Sequence, residues 1–401
     1  MLQMKQKETK SFRMLASIGL AHCLNDTTQW IIIALYPFFK ELFSLTLTEI
    51  GMLSFAYQMS ASALQPLVGL YTDKHPRPFA LPAGMSVTLG GLLIMSFAPG
   101  YGWLLFAAVL LGVGSAVFHP EASRVAHMAS AGRYGLAQSL FQAGGNAGQA
   151  VGPLIAFFVI QHGQHSLAAF SAIPLAAIAA LVVISRRAAA PSKPARTEKV
   201  LREASPLTPA VIRAVAILFI LMSSKQVYTV CLSNYLTFFL MNKFGVSAAD
   251  SQLYLFLFLG AIAVGSIVGG PVGDRIGRKW VIWFSILGAA PFALVLPHLG
   301  LSGTTVMLLI VGFVMASSFS AILVFAQELM PGHIGAVAGL FFGLSFGLGG
   351  VGAVALGKLA DIAGVETVYI LCSFLPLIGL LTAFLPAGGV SRQGRPGGGS
   401  A

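Results

Sequence analysis

Charge is the scarce commodity of this chain. Only 9% of its 401 residues are Asp, Glu, Lys or Arg, against roughly 25% in an ordinary soluble domain. That is too few to clothe a water-facing surface. Acids are scarcer still: thirteen Asp and Glu stand against 24 Lys and Arg, a net charge of +11. Cysteine is nearly absent. Cys23, Cys231 and Cys372 are far apart, lie in apolar segments and form no C-x-x-C pair, which argues against a disulfide framework or a thiolate metal site. No nucleophile cluster or phosphate loop stands out. Gly347-x-Gly349-x-x-Gly352 formally matches a dinucleotide fingerprint, but it sits in an apolar stretch with no strand before it. An enzyme is therefore not expected, nor a cofactor, nor a metal.

Apolar residues are abundant, at 56%. Stretches such as 104–118, 167–184 and 304–325 contain no charged residue, and most approach the ~20 residues that a helix needs to cross a bilayer. Twelve spans are expected at about 14–39, 48–71, 79–98, 102–128, 136–161, 167–185, 211–241, 250–273, 280–298, 304–329, 336–360 and 367–385. The first lacks a small-residue cleavage site after Lys5, Lys7, Lys10 and Arg13, so it is expected to stay as a helix rather than be removed as an export signal.

The basic residues fall in short connections rather than in a nucleic-acid patch. With the N-terminus in the cytoplasm, nineteen of the 24 lie in cytoplasmic connections and ends, while Lys40, Lys243 and Lys358 lie opposite. The positive-inside rule then places both termini in the cytoplasm. Residues 186–210, rich in Pro, Ala and charge, read as a cytoplasmic linker. It divides an N-terminal six-helix bundle (1–185) from a C-terminal one (211–385), followed by a flexible Gly-rich tail (386–401).

Two internal repeats support that division. Gly69-x-x-x-Asp73-Lys74-x-x-Arg77 returns 201 residues later as Gly270-x-x-x-Asp274-Arg275-x-Gly277-Arg278. Val117-Phe118-His119-Pro120-Glu121 returns at a similar offset as Val324-Phe325-Ala326-Gln327-Glu328. Repeats at half the chain length indicate duplication.

The ionisable groups inside the spans are the candidates for function, since a charge at bilayer centre costs about 2.5–3.5 kcal/mol even on insertion scales. They are His22, Asp26, His119, Glu121, Arg124, Lys225 and Glu328. Asp26 stands thirteen residues beyond Arg13, roughly 20 Å along the helix and near mid-membrane. Burial there disfavours the ionised carboxylate, which suits a group that loads and releases protons. His22, one turn away on the same face, can share or relay the proton. The plainer alternative is hydrogen bonding between helices.

Glu121 and Arg124 are helix neighbours that form either a gate or proton site, or a structural ion pair. Pro120 beside them provides a hinge or a kink. Lys225 can pair with Asp26 or receive an anionic substrate group, or else snorkel to the interface. Gly144, Gly148 and Gly152, followed by Pro153, form a helix-packing face. Tyr57, Gln58, Gln138, Gln142, Asn146 and Gln149 are weaker candidates for lining a cavity, as are Asn25 and Gln226 beside the charged positions.

The first repeat resembles the signature loop G-x-x-x-D-R-x-G-R-R of the Major Facilitator Superfamily, with Lys74 in place of Arg and Pro76 in place of Gly. The second copy is the better match. His22-Cys23-Leu24-Asn25-Asp26 and Phe118-His119-Pro120-Glu121-Ala122-Ser123-Arg124 are similar to the fosmidomycin resistance group of drug exporters within it. The likeness spans residues 12 to 385.

The resemblance implies an all-α membrane protein of two pseudo-symmetric six-helix bundles in a bacterial inner membrane, monomeric, dealing with a small molecule, protons and lipid but no nucleic acid. It further implies drug/proton antiport of small anionic antibiotics such as fosmidomycin, driven by the proton gradient. Asp26, His22 and Glu121 would couple protons, and Lys225, Arg124, Asn25, His119, Gln226, Gln142 and Glu328 would meet substrate. The repeated loops, Gly69, Asp73, Lys74 and Arg77 with Gly270, Asp274, Arg275, Gly277 and Arg278, would switch conformation. The superfamily's helix-four Arg is Ala108 here, so its coupling role does not transfer. Proton-coupled uptake of a sugar phosphate or organic anion needs the same residues, and a transporter-like receptor or sensor is the reading from another class.

Overall fold

The computed structural model describes residues 2–74, 77, 79–130, 134–189, 208–330, 337 and 340–386, and among these every regular element is helical. The first half holds α1 (Leu2–Ala34, continued by the short helix Tyr36–Leu42), α2 (Leu47–Lys74), α3 (Ala80–Ser96), α4 (Tyr101–Ala129), α5 (Tyr134–His162) and α6 (Ala172–Ala189, entered through the 3₁₀ segment Gln164–Ser171). The second holds α7 (Pro209–Phe244), α8 (Ala248–Ile276) and α9 (Arg278–Ile286 and Ala290–Val295, ending at His298). It continues with α10 (Leu301–Ala316 and Ser318–Leu329), α11 (Ser345–Ala363 after the π-helical turn Leu340–Leu344) and α12 (Val365–Cys372 with the 3₁₀ segment Leu375–Phe384).

Among the described residues, nine of these rods are long and apolar enough to cross a membrane. Of the other three expected spans, α3 is apolar but only 17 residues long, and α1 and α2 hold more polar residues. Of the expected linker (186–210), residues 186–189 extend α6 and 209–210 begin α7, while 190–207 lie outside the described residues, as does the expected tail (386–401) from 387. So do the side chains of Gln138, Gly69, Asp73, Lys74, Gly270, Asp274 and Arg275.

The two halves share one wiring. In the first, α1 packs on α5 and α6, and α4 packs on α2 and α3. In the second, α7 packs on α11 and α12, and α10 packs on α8 and α9. The backbone repeats as well. Ser44 and Gly245, at the turns before α2 and α8, both take positive φ (52° and 66°), as do Gly163 and Gly364 before α6 and α12 (85° and 83°). Each pair is again 201 residues apart. Gly adopts this conformation without the clash that a Cβ brings, and the first half bears it at Ser44.

The halves meet along α2–α11 and α5–α8. At the end of the molecule that bears Leu47, glycines let the backbones touch: a Cβ on Gly51 would lie 2.6 Å from the Ala353 carbonyl oxygen, and one on Gly357 would overlap that of Leu47. Asp361, at the end of α11, accepts from the Leu47 and Thr48 amides at 2.8 Å each and from the Thr48 hydroxyl at 2.6 Å. A carboxylate of one half thus caps the first turn of a helix in the other, where free N–H groups and the helix dipole favour negative charge. Asp361→Ala is expected to cost about 1 kcal/mol, the usual value of an N-cap, read as a lower melting temperature of the detergent-purified protein. It should also raise labelling of a cysteine placed at Thr48, and unchanged labelling would mean that the clasp does not hold this end shut.

Candidate functional site

Three glycines of α5 bring the site together. A Cβ on Gly144 would overlap the carbonyl oxygen of Gly19, one on Gly148 would overlap that of Cys23, and one on Gly152 would crowd the backbone of Trp30 at 3.0 Å. α1 therefore lies directly on the backbone of α5. The polar run 25–29 of α1 is buried at this contact, with Asp26 and His22 each only 3% exposed.

Four side chains converge on the Asp26 carboxylate. Asn25 Nδ2 donates to Oδ1 at 3.0 Å, and Gln149 Nε2 from α5 donates to Oδ2 at 3.1 Å. His22 Nε2 stands 3.4 Å and His119 Nε2, from α4, 3.7 Å from the same Oδ1. A buried charge is tolerated when its partners are supplied with it, so the ionised form is served here in a way that depth along α1 alone did not suggest. A chain of bonds continues from the carboxylate's neighbour: Gln29 Nε2 donates to Asn25 Oδ1 at 3.1 Å, and the Tyr57 hydroxyl of α2 donates to Gln29 Oε1 at 2.9 Å.

Each imidazole is held from behind. His22 Nδ1 lies 2.7 Å from the Phe141 carbonyl oxygen, and its ring stacks on that of Phe141 at 4.0 Å. His119 Nδ1 lies 3.0 Å from the Ser115 carbonyl oxygen and 3.1 Å from the Ser115 hydroxyl. The donor atoms of His22, Asp26 and His119 fall within 4.8 Å of one another, the donor count of a metal site. Against that use, the Asn25 amide already puts hydrogens on the oxygen that both rings face.

The other candidates are placed differently. α4 runs unbroken through Pro120, and Arg124 Nη2 meets Glu121 Oε2 at 2.5 Å. Glu121, 2% exposed, is thus joined to a cation on its own helix and is not one of the groups around Asp26. Glu328, its counterpart, faces Arg278 Nε at 3.7 Å, which links the second repeat loop to α10. In the first loop Arg77 donates to the Tyr71 hydroxyl at 3.5 Å, and Gly277 takes φ 93° at the start of α9.

No ion pair joins Lys225 to Asp26 among the described residues. The Lys225 ammonium lies 5.6 Å from the centre of the Phe319 ring and lines a small cavity with Thr229, Phe258, Ile262 and Met315. Gln226 is buried beside Gly349, at which a Cβ would lie 3.1 Å from its side chain. Gln142 is half-buried. Between the halves, Asn146 donates to Ser266 at 2.8 Å and Asn234 to Ser54 at 2.7 Å. Cys231 and Cys372, distant in sequence, are both buried free thiols, on α7 and α12, two helices that pack together.

Sequence reasoning passed over Gln29, Ser115 and Asp361. Gln29 was detectable as the last of five consecutive polar residues in a membrane helix. Ser115 and Asp361 act through contacts that only the packing creates.

The family model of the Major Facilitator Superfamily matches residues 18–353. The chain is 52% identical over 385 residues to the fosmidomycin resistance protein of Escherichia coli (strain K12), covering 95% of this chain and 94% of that one. It is 41% identical over 384 residues to the uncharacterized MFS-type transporter YfnC of Bacillus subtilis (strain 168), covering 94% of each. Among solved structures, an inward-facing, occupied bacterial homologue of the human lysosomal transporter Spinster superposes with a TM-score of 0.70 at 15% identity, over 94% of both chains. A mutant of the nucleoside transporter NupG does so with a TM-score of 0.70 at 14% identity, over 93% of this chain and 98% of that one. At such identities the two structures speak for the fold alone.

Proposed function

Because the chain belongs to the Major Facilitator Superfamily and is a multi-pass membrane transporter rather than an enzyme, we propose that it is a drug/proton antiporter exporting small anionic antibiotics of the fosmidomycin kind. The observation that carries the proton-coupled part is Asp26: a carboxylate 3% exposed, in the C-terminal half of α1, with two imidazoles facing one of its oxygens. A group so placed gains and loses a proton only when the surrounding helices let water reach it, so its protonation is tied to conformation. The anionic part rests on Lys225, a half-buried ammonium with no acid beside it among the described residues, and on the resistance named for the relative at 52% identity. The placement of basic residues supports a bacterial inner-membrane orientation with both termini in the cytoplasm.

In this cycle the substrate binds from the cytoplasm between the halves while Asp26 is ionised. Opening to the far side breaks the Asp361 clasp, releases the substrate and lets Asp26 take up a proton. The protonated, empty carrier returns and loses that proton inside. Substrate drives the change only by binding one conformation more tightly than the other.

Lys225→Gln is expected to weaken binding of fosmidomycin about ten-fold or more, since a hydrogen bond to a charged group contributes about 1.5–3 kcal/mol. Isothermal titration of purified protein reads this directly. Equal affinity in the variant would remove Lys225 from the substrate site.

A further inference from the structure

We infer that His22, Asp26 and His119 form a single proton-holding unit, in which His119 carries and exchanges the proton instead of contacting substrate. The inference rests on the proton-coupled reading above and sharpens it. It follows from counting donors and acceptors. A backbone carbonyl only accepts, so the Phe141 oxygen at 2.7 Å places the ring hydrogen of His22 on Nδ1, and the Ser115 oxygen at 3.0 Å does the same at His119, the Ser115 hydroxyl at 3.1 Å then accepting from that same N–H. In a neutral ring with that tautomer, Nε2 is a bare acceptor.

Both bare nitrogens face Asp26 Oδ1, at 3.4 and 3.7 Å, and an ionised carboxylate is also acceptor-only. Three acceptors turned toward one point in a buried site repel one another unless a proton lies among them. Among the described residues His22 Nε2 has no hydrogen-bond partner, and the Asn25 and Gln149 amides satisfy the carboxylate without satisfying either ring.

A ring flip that would exchange the two nitrogens is opposed at His22 by stacking on Phe141 and by the backbone of Gly145, where even a Cβ would crowd the ring. His119 is the exposed member, with 28% of its side chain accessible against 4% for His22 and 5% for Asp26. It is the port. A proton arriving there leaves Nε2 of His119 as the bond to Asp26 Oδ1 forms, and returns the same way. The other titratable groups near the carboxylate are Cys23 on α1 and Tyr57 on α2, while α5 presents only the Gln149 amide to it among the described residues. Glu121 and Arg124 neutralise each other on α4.

The test has two arms on the full-length protein. Nitrogen-15 NMR of histidine-labelled, substrate-free protein, assigned with His22→Gln and His119→Gln, should show hydrogen on Nδ1 of both rings. A neutral ring with bare Nδ1 and hydrogen on Nε2 would overturn the inference, because it would donate to Asp26 and need no trapped proton. In proteoliposomes, His119→Gln should lower pH-gradient-driven flux of fosmidomycin about a hundred-fold, the lower range for a positioned proton-transferring side chain, with counterflow without a gradient falling by less than about ten-fold. Equal loss in both assays would make His119 a substrate or structural residue and overturn the inference. Wild-type flux indifferent to pH would instead overturn the proton-coupled reading itself, and it is recognised without any substitution.

Discussion

Asp26→Asn is expected to abolish transport driven by a pH gradient while leaving a folded protein that still exchanges substrate down its own gradient. Asn keeps the size of the side chain and one oxygen, which can still accept from Gln149, 3.1 Å from Oδ2 in the carboxylate, while its amide nitrogen takes the place of Oδ1 and gives up the bond from Asn25. It also offers an N–H to the bare His22 nitrogen. What it cannot do is titrate. Loss of a positioned proton-transferring group costs about 10²–10⁴ in rate, so gradient-driven flux should fall at least about a hundred-fold. Counterflow, which needs only alternation between conformations, should change by less than about ten-fold. Comparing the two assays in one proteoliposome preparation separates loss of coupling from loss of binding, and a variant with undiminished gradient-driven flux would take Asp26 out of the mechanism.

Gly144→Val should fail earlier, at folding. A Cβ at this position overlaps the backbone oxygen of Gly19. Backbone cannot rotate aside as a side chain can, so α1 and α5 must separate along much of their contact. Overpacking costs about 1–3 kcal/mol where side chains can adjust, and a backbone clash belongs at or above the upper end of that range. The expected result is a sharp drop in detergent-stable protein and in melting temperature. Gly90→Ala supplies the control: a Cβ there meets nothing within 4 Å, and its stability should match wild type. A Gly144→Val protein that melts like wild type would mean that α1 and α5 do not touch as described. Since the same contact buries Asp26 against Gln149, loss of packing here is loss of the site.

How much of this was legible in the sequence follows from which signals are local. Apolar runs and the basic residues between them mark most of the described helices to within a few residues, because a membrane constrains every residue that crosses it; α1 is the exception, starting at Leu2 rather than near residue 14. The 201-residue repeat was visible in Asp73 and Asp274, and it reappears in the positive φ of Ser44 and Gly245, where the amino acids differ and the backbone does not. The one-turn spacing already paired His22 with Asp26 on one helix face, whereas His119 stood out only as a separate costly residue. The arrival of His119 and Gln149 at the same carboxylate was not legible, since it depends on α4 and α5 being packed against α1 in a particular register.

The partners of other groups were hidden for the same reason. Lys225 looked able to meet Asp26 across the halves, but it lies over Phe319, against α8 and α10. Glu328, expected at the substrate, faces Arg278 at 3.7 Å, a neighbour that the sequence did not point to. Pro120 suggested a hinge or a kink, and α4 continues as helix on both sides of it. Asp361 drew no notice because a carboxylate at a helix end has no signature until the helix that it caps, 313 residues away in sequence, lies beside it.

The most direct test of proton-coupled export is the direction of flux under imposed pH gradients. Proteoliposomes holding the wild-type protein, given fosmidomycin on both sides at equal concentration, should accumulate it when the lumen is acidic and expel it when the bath is acidic. Antiport requires drug and proton to cross in opposite directions. Accumulation under the reverse gradient would identify uptake by symport, and a drug distribution that ignores pH would show that no proton moves with it.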